Sequence, residues 1–346
     1  MIINSNTHTF IQNSNNKINS LSKESNKNEE NKISDEEPVI QARNEYESES
    51  DKRRALHTAY YSKVNEENKK FANPYAHISD KYYLPSSPYY IEGLTRQERR
   101  IASGTEIEYL NLGASGINYG DPIFRGMGPL YGDVEVAKEK AYNRQAVNEQ
   151  FQQLLDSNNI IIPQNTKLRF TIDPNDYKVS VRGTEDLEMK KVLEELLDKE
   201  NAKGLFYHII SSRSDDSMQY SHEKFSRFNL IREMQDITGY NLRDLDIVDG
   251  KFVTNEGTDI FEIYSKNVRD SDSIPEFSKK YMISSYGKDL YELAQNGFNS
   301  VPDLILSIDY ENNSFYDVGQ SENFGTGQTQ WIEQLKASKT DEFIYV

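Results

Sequence analysis

The stretch 168–186, LRFTIDPNDYKVSVRGTED, decides the fold class. Leu168, Phe170 and Ile172 alternate with polar residues, a period of two that puts them on one face of a half-buried strand. Asp173-Pro174-Asn175-Asp176 supplies a turn, because proline presets φ and Asn and Asp side chains bond to nearby backbone. Tyr177, Val179 and Val181 then alternate again, so the segment predicts an antiparallel hairpin. Helical spacing follows at once. Thr184 caps it, Glu185, Asp186 and Glu188 favour its positive end, and Met189, Val192, Leu193, Leu196 and Leu197 form its apolar stripe to about residue 199. A hairpin feeding a helix belongs to an α+β fold, in which antiparallel strands pack on helices.

The same pattern returns at 304–318, LILSIDYENNSFYDV. Leu304, Leu306 and Ile308 alternate, Asp309 to Asn313 turns the chain, Tyr316 and Val318 return, and a helix-compatible stretch follows at about 327–337. The two hairpin-helix units are similar enough to suggest duplication, although hairpin sequences converge readily.

Working outward, helical spacing of Leu56, Tyr60, Val64 and Phe71 predicts a helix that Pro74 ends, and the Pro-broken tyrosine clusters of 75–93 predict an extended segment. Thr95-Arg-Gln-Glu98 is a capping box opening a helix to about 111. Residues 112–132 form a Gly-rich loop, and Asp133 opens a long helix to Ser157. Phe225 to Ile237 reads as a helix stopped by Gly239, Asp249-Gly250 as a two-residue hairpin turn, and Pro275 to Gly297 as a further helix. The expected fold is α+β and helix-dominated with antiparallel β-hairpins. A helical region spans 51–160 and an α+β region 161–340, behind a disordered N-terminal tail over 1–50.

That tail has two parts. Residues 1–23 carry no acid, whereas 24–50 are dominated by Glu and Asp and contain only Lys27, Lys32 and Arg43 as bases. Neither part has the apolar content to offset chain entropy of about 1–2 kcal/mol per residue. No apolar run suits a signal peptide or a membrane span. The acid-free, Asn- and Ser-rich start resembles the uncleaved leader of chains exported unfolded through a flagellar or type III apparatus.

Overall, 56 acidic against 40 basic residues give a net charge of -16, a sign that repels nucleic-acid phosphates. With no cysteine, disulfides, thiolate nucleophiles and thiolate zinc sites are all excluded. His8, His57, His77, His208 and His222 are too scattered for a helical metal pair. Ser115 lacks the second glycine of a nucleophile elbow, and the loop lacks the Lys-Ser/Thr of a phosphate cradle. Asp309, Glu311 and Asn313 fit the first positions of a calcium loop, but Ser314 and Gln320 stand where its glycine and closing glutamate belong. No cofactor and no metal are expected. Tyr119, Asp121 and Arg125 are the candidate ligand-binding residues, since a guanidinium offers planar donors and neighbouring glycines allow close approach. The competing reading is that Arg125 pairs with Asp121 and pins the loop.

Taken together, KYYLPSSPYYIEGLTRQERRIA (81–102), INYGDPIFRG (117–126), FTIDPNDYKVSVRGTED (170–186) and LFYHI (205–209) resemble a bacterial family of domains of unknown function over most of residues 55–320. The resemblance implies no activity and no catalytic residues. The strand, Ile-Asp turn, strand, helix unit is also locally similar to small flagellar proteins of the FlaG type. The expected function is that of a non-enzymatic interaction protein with protein partners, binding no nucleic acid, without a transmembrane segment, and cytoplasmic or secreted without a cleavable signal peptide. The alternatives are a cytosolic, hydrolase-like enzyme using 112–132 as a lid, or a structural or surface assembly protein in which 23 tyrosines supply contact area.

Overall fold

The computed structural model describes residues 38–342. The chain divides after Pro38, and the unit that follows begins at Val39. The expected export leader and the spacer to residue 37 lie outside the described residues. The remainder of that spacer is not a tail. Ile40 is buried, its N–H donates to Asn201 Oδ1 at 2.9 Å, and Asn44 N–H donates to Asn143 Oδ1 at 2.6 Å. Arg43 also pairs with Glu139 at 2.5 Å. The stretch is fixed because helix side chains satisfy its backbone, a service that its own composition does not reveal.

The two quoted stretches form one sheet. Strand β1 (Leu168–Ile172) pairs with β2 (Val179–Arg182), β5 (Leu306–Glu311) pairs with β6 (Ser314–Asp317), and β1 also pairs with β5, all antiparallel, in the order β2-β1-β5-β6. The inner face carries Leu168, Phe170, Ile172, Val179, Val181, Leu306, Ile308, Tyr310 and Phe315, all buried. On the outer face Arg169 donates to both carboxylate oxygens of Asp309, at 2.6 and 2.9 Å. That bond assigns Asp309 to the sheet rather than to a calcium loop.

Two expectations about the second hairpin are corrected. Its turn is only Asn312-Asn313, both at positive φ (49° and 61°), and the strand runs on through Glu311. Asn tolerates the left-handed region better than most residues, which allows so tight a turn. In β6 the inward residues are Phe315 and Asp317, opposite Tyr310 and Ile308, not Tyr316 and Val318. A carboxylate occupies the core face because Arg144 meets it there.

Arg144 lies on α4 (Gly132–Ser157), which crosses the inner face of the sheet. Its Nη2 stands 2.7 Å from Asp317 Oδ1 and its Nη1 3.2 Å from Oδ2, with both side chains essentially sealed from water. The same guanidinium donates to Phe315 O, Ser212 Oγ and His208 Nε2. Burial, and then Arg144 itself, hold His208 well below its ordinary pKa, so the ring is neutral. Two turns further along α4, Phe151 packs its ring on Phe170, Tyr310 and Phe315.

The remaining elements are helical apart from one small hairpin. Helix α1 (Glu49–Asn68) opens on a Ser48–Asp51 capping box. Pro74 does not end a helix but opens α2 (Pro74–Tyr83) behind the Asn73 cap, where a missing N–H costs nothing. The segment expected to be extended is therefore helical to Tyr83. Helix α3 (Arg96–Leu112) begins at the predicted Thr95–Glu98 box and ends at left-handed Gly113, φ 73°. The helix expected over 184–199 is α5 (Leu187–Leu196), capped by Asp186 rather than Thr184, and a further helix, α6 (Lys199–Ser212), capped by Asp198, follows it directly. Helix α7 (His222–Thr238) stops at Gly239, φ 80°. Strands β3 (Asp246–Val248) and β4 (Lys251–Val253) turn at Asp249-Gly250 as predicted. Helices α8 (Ile260–Asp270) and α9 (Glu276–Asn296) pack with α7 around Met234, Phe252, Ile260, Tyr264 and Leu290. Finally α10 (Gln330–Glu342) sets Ile332 against Ala137 of α4. Helix α8 matches no expected element.

Candidate functional site

Helix α1 turns a polar face inward. Its buried residues are Arg53, His57, Tyr61, Asn65 and Asn68, one per turn, whereas Leu56 and Tyr60 of the expected apolar stripe face solvent. Buried polar groups require partners, and all of these but His57 find them on α3 and the Gly-rich loop. Arg53 Nη2 donates to Gly128 O at 2.5 Å, and Asn65 Nδ2 to Tyr109 O at 3.0 Å. Tyr61 O–H donates to Asp121 Oδ2 at 2.5 Å. Asn68 Nδ2 donates to Glu106 Oε2 at 2.8 Å, where Tyr82 O–H (2.5 Å) and Lys81 Nζ (2.7 Å to each oxygen) converge as well. Two buried carboxylates thus each accept a short bond from a phenol. Burial first and the carboxylate second push the pKa of Tyr61 and of Tyr82 far above the ordinary value.

His57 completes this seam. Its ring lies 4.9 Å from that of Tyr61 and 6.3 Å from that of Phe124, and Nε2 is buried without a hydrogen-bond partner. Desolvation lowers its pKa despite the attraction of Asp121.

The three predicted ligand-binding residues do not converge. Asp121 is buried, facing Tyr61, and its Oδ1 also caps the 3-10 turn at Pro122–Phe124 by accepting from Ile123 N–H. Tyr119 is half exposed, its hydroxyl 3.1 Å from Ser50 Oγ and its ring 5.9 Å beneath the Arg53 guanidinium. Arg125 reaches Glu98 Oε1 with Nε (3.1 Å) and Nη2 (2.6 Å) and also bonds Gly93 O, so it does not pair with Asp121. Arg125, followed by the Thr95 cap, holds the Glu98 carboxyl down at about 2. Ser115 donates to Glu108 Oε2 at 2.5 Å. Close approach is demanded at one glycine: a Cβ on Gly120 would stand 3.0 Å from Ile101 Cδ1. The loop is therefore held down over residues 121–128, by Arg125 against α3 and by Asp121 and Gly128 against α1.

A more open site lies elsewhere. Between α8 and α9 runs a groove of about 540 Å³, with Phe261, Ile283 and Gly287 along it and Arg269, Lys279 and Lys280 around it. Gly287 lets the Phe261 ring lie close against α9, since a Cβ there would stand 2.6 Å from the ring. Lys279 bonds Arg269 O at 2.9 Å and pairs with Glu276 at 3.0 Å. Lys280 and the Arg269 guanidinium form no ion pair with a described residue. Along the outer face of α9, next to the groove, Phe277, Tyr281 and Tyr291 are 87%, 59% and 60% exposed. The helix expected from Pro275 to Gly297 carries this exposed stripe at a spacing of i, i+4 and i+14, as helical as the spacing of its buried residues Leu290, Leu293 and Ala294.

Among the described residues no group of His, Cys, Asp or Glu could hold a metal, and no helix is long and apolar enough to cross a membrane.

This architecture defines a helix-dominated α+β protein with one four-stranded antiparallel sheet, a pinned Gly-rich loop and an aromatic outer helix face. The chain belongs to the family described as "Domain of unknown function (DUF4885)", which matches residues 11–336. It is 44% identical over 303 residues, 87% of this chain and 76% of the relative, to "Uncharacterized protein YbdO" of Bacillus subtilis (strain 168). No solved structure matches the chain. The resemblance read from residues 81–102, 117–126, 170–186 and 205–209 is thus to the right kind of family, and it extends beyond 55–320.

Proposed function

We propose that the protein is a non-enzymatic interaction protein whose α9 face and α8–α9 groove take an acidic protein segment with apolar anchors. The observation that carries this reading is the placement of Phe277, Tyr281 and Tyr291 in solvent beside a groove with cationic surroundings. Aromatic side chains in water cost hydrophobic free energy that a partner recovers, and aromatic residues dominate interface hot spots. In a chain of net charge -16, free cations at Arg269 and Lys280 select for an acidic partner.

Two synthetic helical peptides of about five turns test it, one with Leu and Trp on one face and Glu on the other, the second with Lys in place of Glu. Fluorescence anisotropy with the full chain should show binding of the acidic peptide alone, reduced at least about tenfold by Phe277→Ala or Lys280→Glu. Equal binding of both peptides, or none, ends the proposal.

Export of the unfolded chain is a separate part of the reading and rests on the acid-free composition of residues 1–23. Deleting residues 2–23 should then move the protein from culture supernatant to lysate. An unchanged distribution rejects export.

A further inference from the structure

A second, much smaller cavity lies where the turn of the first hairpin, one face of α7 and the entry to β5 meet. Its volume is about 10 Å³, room for one water molecule or one monatomic ion. Helix α7 contributes Lys224, Arg227 and Arg232 to its lining, three cations on one face, and Asp303 is its single carboxylate.

The acceptors around this cavity are already engaged. Asp303 Oδ1 accepts from Arg227 Nη2 and, at 2.6 Å, from Arg243 Nη2, while its Oδ2 lies 3.4 Å from Asn175 Nδ2. Asn175 Oδ1 accepts from Arg243 Nε at 3.0 Å, Gln235 Oε1 from Arg232 Nη1 at 3.3 Å, and Asn241 Oδ1 from the Arg243 N–H at 3.0 Å. Donors are left over. Arg232 pairs with the exposed Asp236 at 3.5 Å, but its Nε is buried with no hydrogen-bond partner and its guanidinium lies 5.4 Å over the Tyr177 ring, and Lys224 is half-buried with no ion pair to a described residue. Arg227, itself buried, spends its other amino group on Phe298 O. A buried cationic donor without an acceptor is costly, and the cost is removed by a ligand that is negative and accepts from several directions.

We propose that this cavity binds a monatomic anion, chloride under ordinary conditions. Water matches the volume but does not offset the surplus charge, and sulfate or phosphate matches the charge but exceeds the volume. The bound ion ties together residues 174–175, α7 and residues 303–304, segments that nothing local in the sequence joins.

The test uses the full chain in sodium gluconate, with chloride or bromide replacing gluconate at constant ionic strength. The melting temperature should rise saturably, by about 3–6 °C, with either halide. Arg232→Gln should abolish the rise and Lys224→Gln should reduce it, and a crystal soaked in bromide should show an anomalous peak in the cavity. Should Arg232→Gln fail to fold, Lys224→Gln and the bromide peak still decide the matter. Equal melting in chloride and gluconate, a halide response unchanged in the variants, or a cavity filled by water in the bromide crystal would each overturn the proposal.

Discussion

Replacing Asp317 by alanine tests the reasoning about the core most severely. The wild-type carboxylate faces Arg144 with two contacts, 2.7 and 3.2 Å, and the side chains are 3% and 0% exposed. Removing it leaves a guanidinium that water does not reach, still bonded to Phe315 O, Ser212 and His208 but with no counter-charge. Breaking one side of such a pair costs about 3–5 kcal/mol. In a unit of this size that corresponds to a fall in melting temperature on the order of 10 °C. Removing both charges with Arg144→Met/Asp317→Ala also removes the stranded cation. The remaining loss is then the unmet acceptors Phe315 O and His208 Nε2, about 1–3 kcal/mol. The double variant should therefore be more stable than Asp317→Ala alone, as read from guanidinium midpoints at constant m-value. A single variant within about 1 kcal/mol of wild type, or a double variant as costly as the sum of the two singles, would refute the account.

Acid should destabilise the protein through its histidines. His208 and His57 have folded pKa values below the ordinary 6.5, so their contribution is complete above that pH and is lost as pH falls below it. His208→Gln, which keeps an acceptor for Arg144 Nε, should flatten the decline of the denaturation midpoint between about pH 7 and 5, and an unchanged slope argues against a buried neutral ring. A Cβ at Gly204 would stand 1.9 Å from Ile40 O. Gly204→Ala should accordingly push the first residues off α6 and expose Ile40, losing about 1.5–3 kcal/mol even though alanine favours the helix, and a stabilised variant would show the contact to be dispensable. The two anchors of the Gly-rich loop should differ as well. Tyr61→Phe strips a buried carboxylate of a donor, costs about 1–3 kcal/mol and makes the loop more sensitive to limited proteolysis, whereas Arg125→Ala, at an exposed pair, costs less than about 1 kcal/mol. Identical digestion patterns would contradict that ranking.

The features legible in the sequence are those whose cause is local. The Thr95–Glu98 box, the Gly239 stop and the Asp249-Gly250 turn each require a side chain or a positive φ within a few residues, and each is found where the residues place it. The first hairpin is likewise specified by a period of two on either side of a Pro-Asn turn. Even so, Pro74 shows the limit of local reading. The same residue is compatible with ending one helix or beginning the next, and Asn73, placed to accept from Ala76 N–H, decides for the second.

The candidate site was only partly legible for a related reason. The loop residues Tyr119, Asp121 and Arg125 stand out in the sequence by residue type, but their partners Tyr61, Ser50 and Glu98 lie on helices, and nothing in the spacing of the three reveals that they separate. In α1 the apolar residues Leu56 and Tyr60 and the polar residues Arg53, His57 and Tyr61 both fall at helical spacing, so periodicity alone does not say which face turns inward. The hydrophobic rule chooses the first. The protein uses the second, because Asp121, Glu106 and Gly128 are there to receive it.

By itself, then, the sequence determined the class of fold, the Thr95–Glu98 capping box, the Gly239 stop, the turn of the first hairpin and the Asp249-Gly250 turn, and the family to which the chain belongs, since these follow from short-range geometry and from strings of residues read in order. Only the tertiary structure decided that the two hairpins join through β1 and β5, that Asp317 rather than Val318 belongs to the core face, and that an aromatic stripe on α9 is left in water. Each of those outcomes depends on a partner far along the chain, as Arg144 is from Asp317. Whether a buried charge is ruinous or stabilising is settled by what stands opposite it.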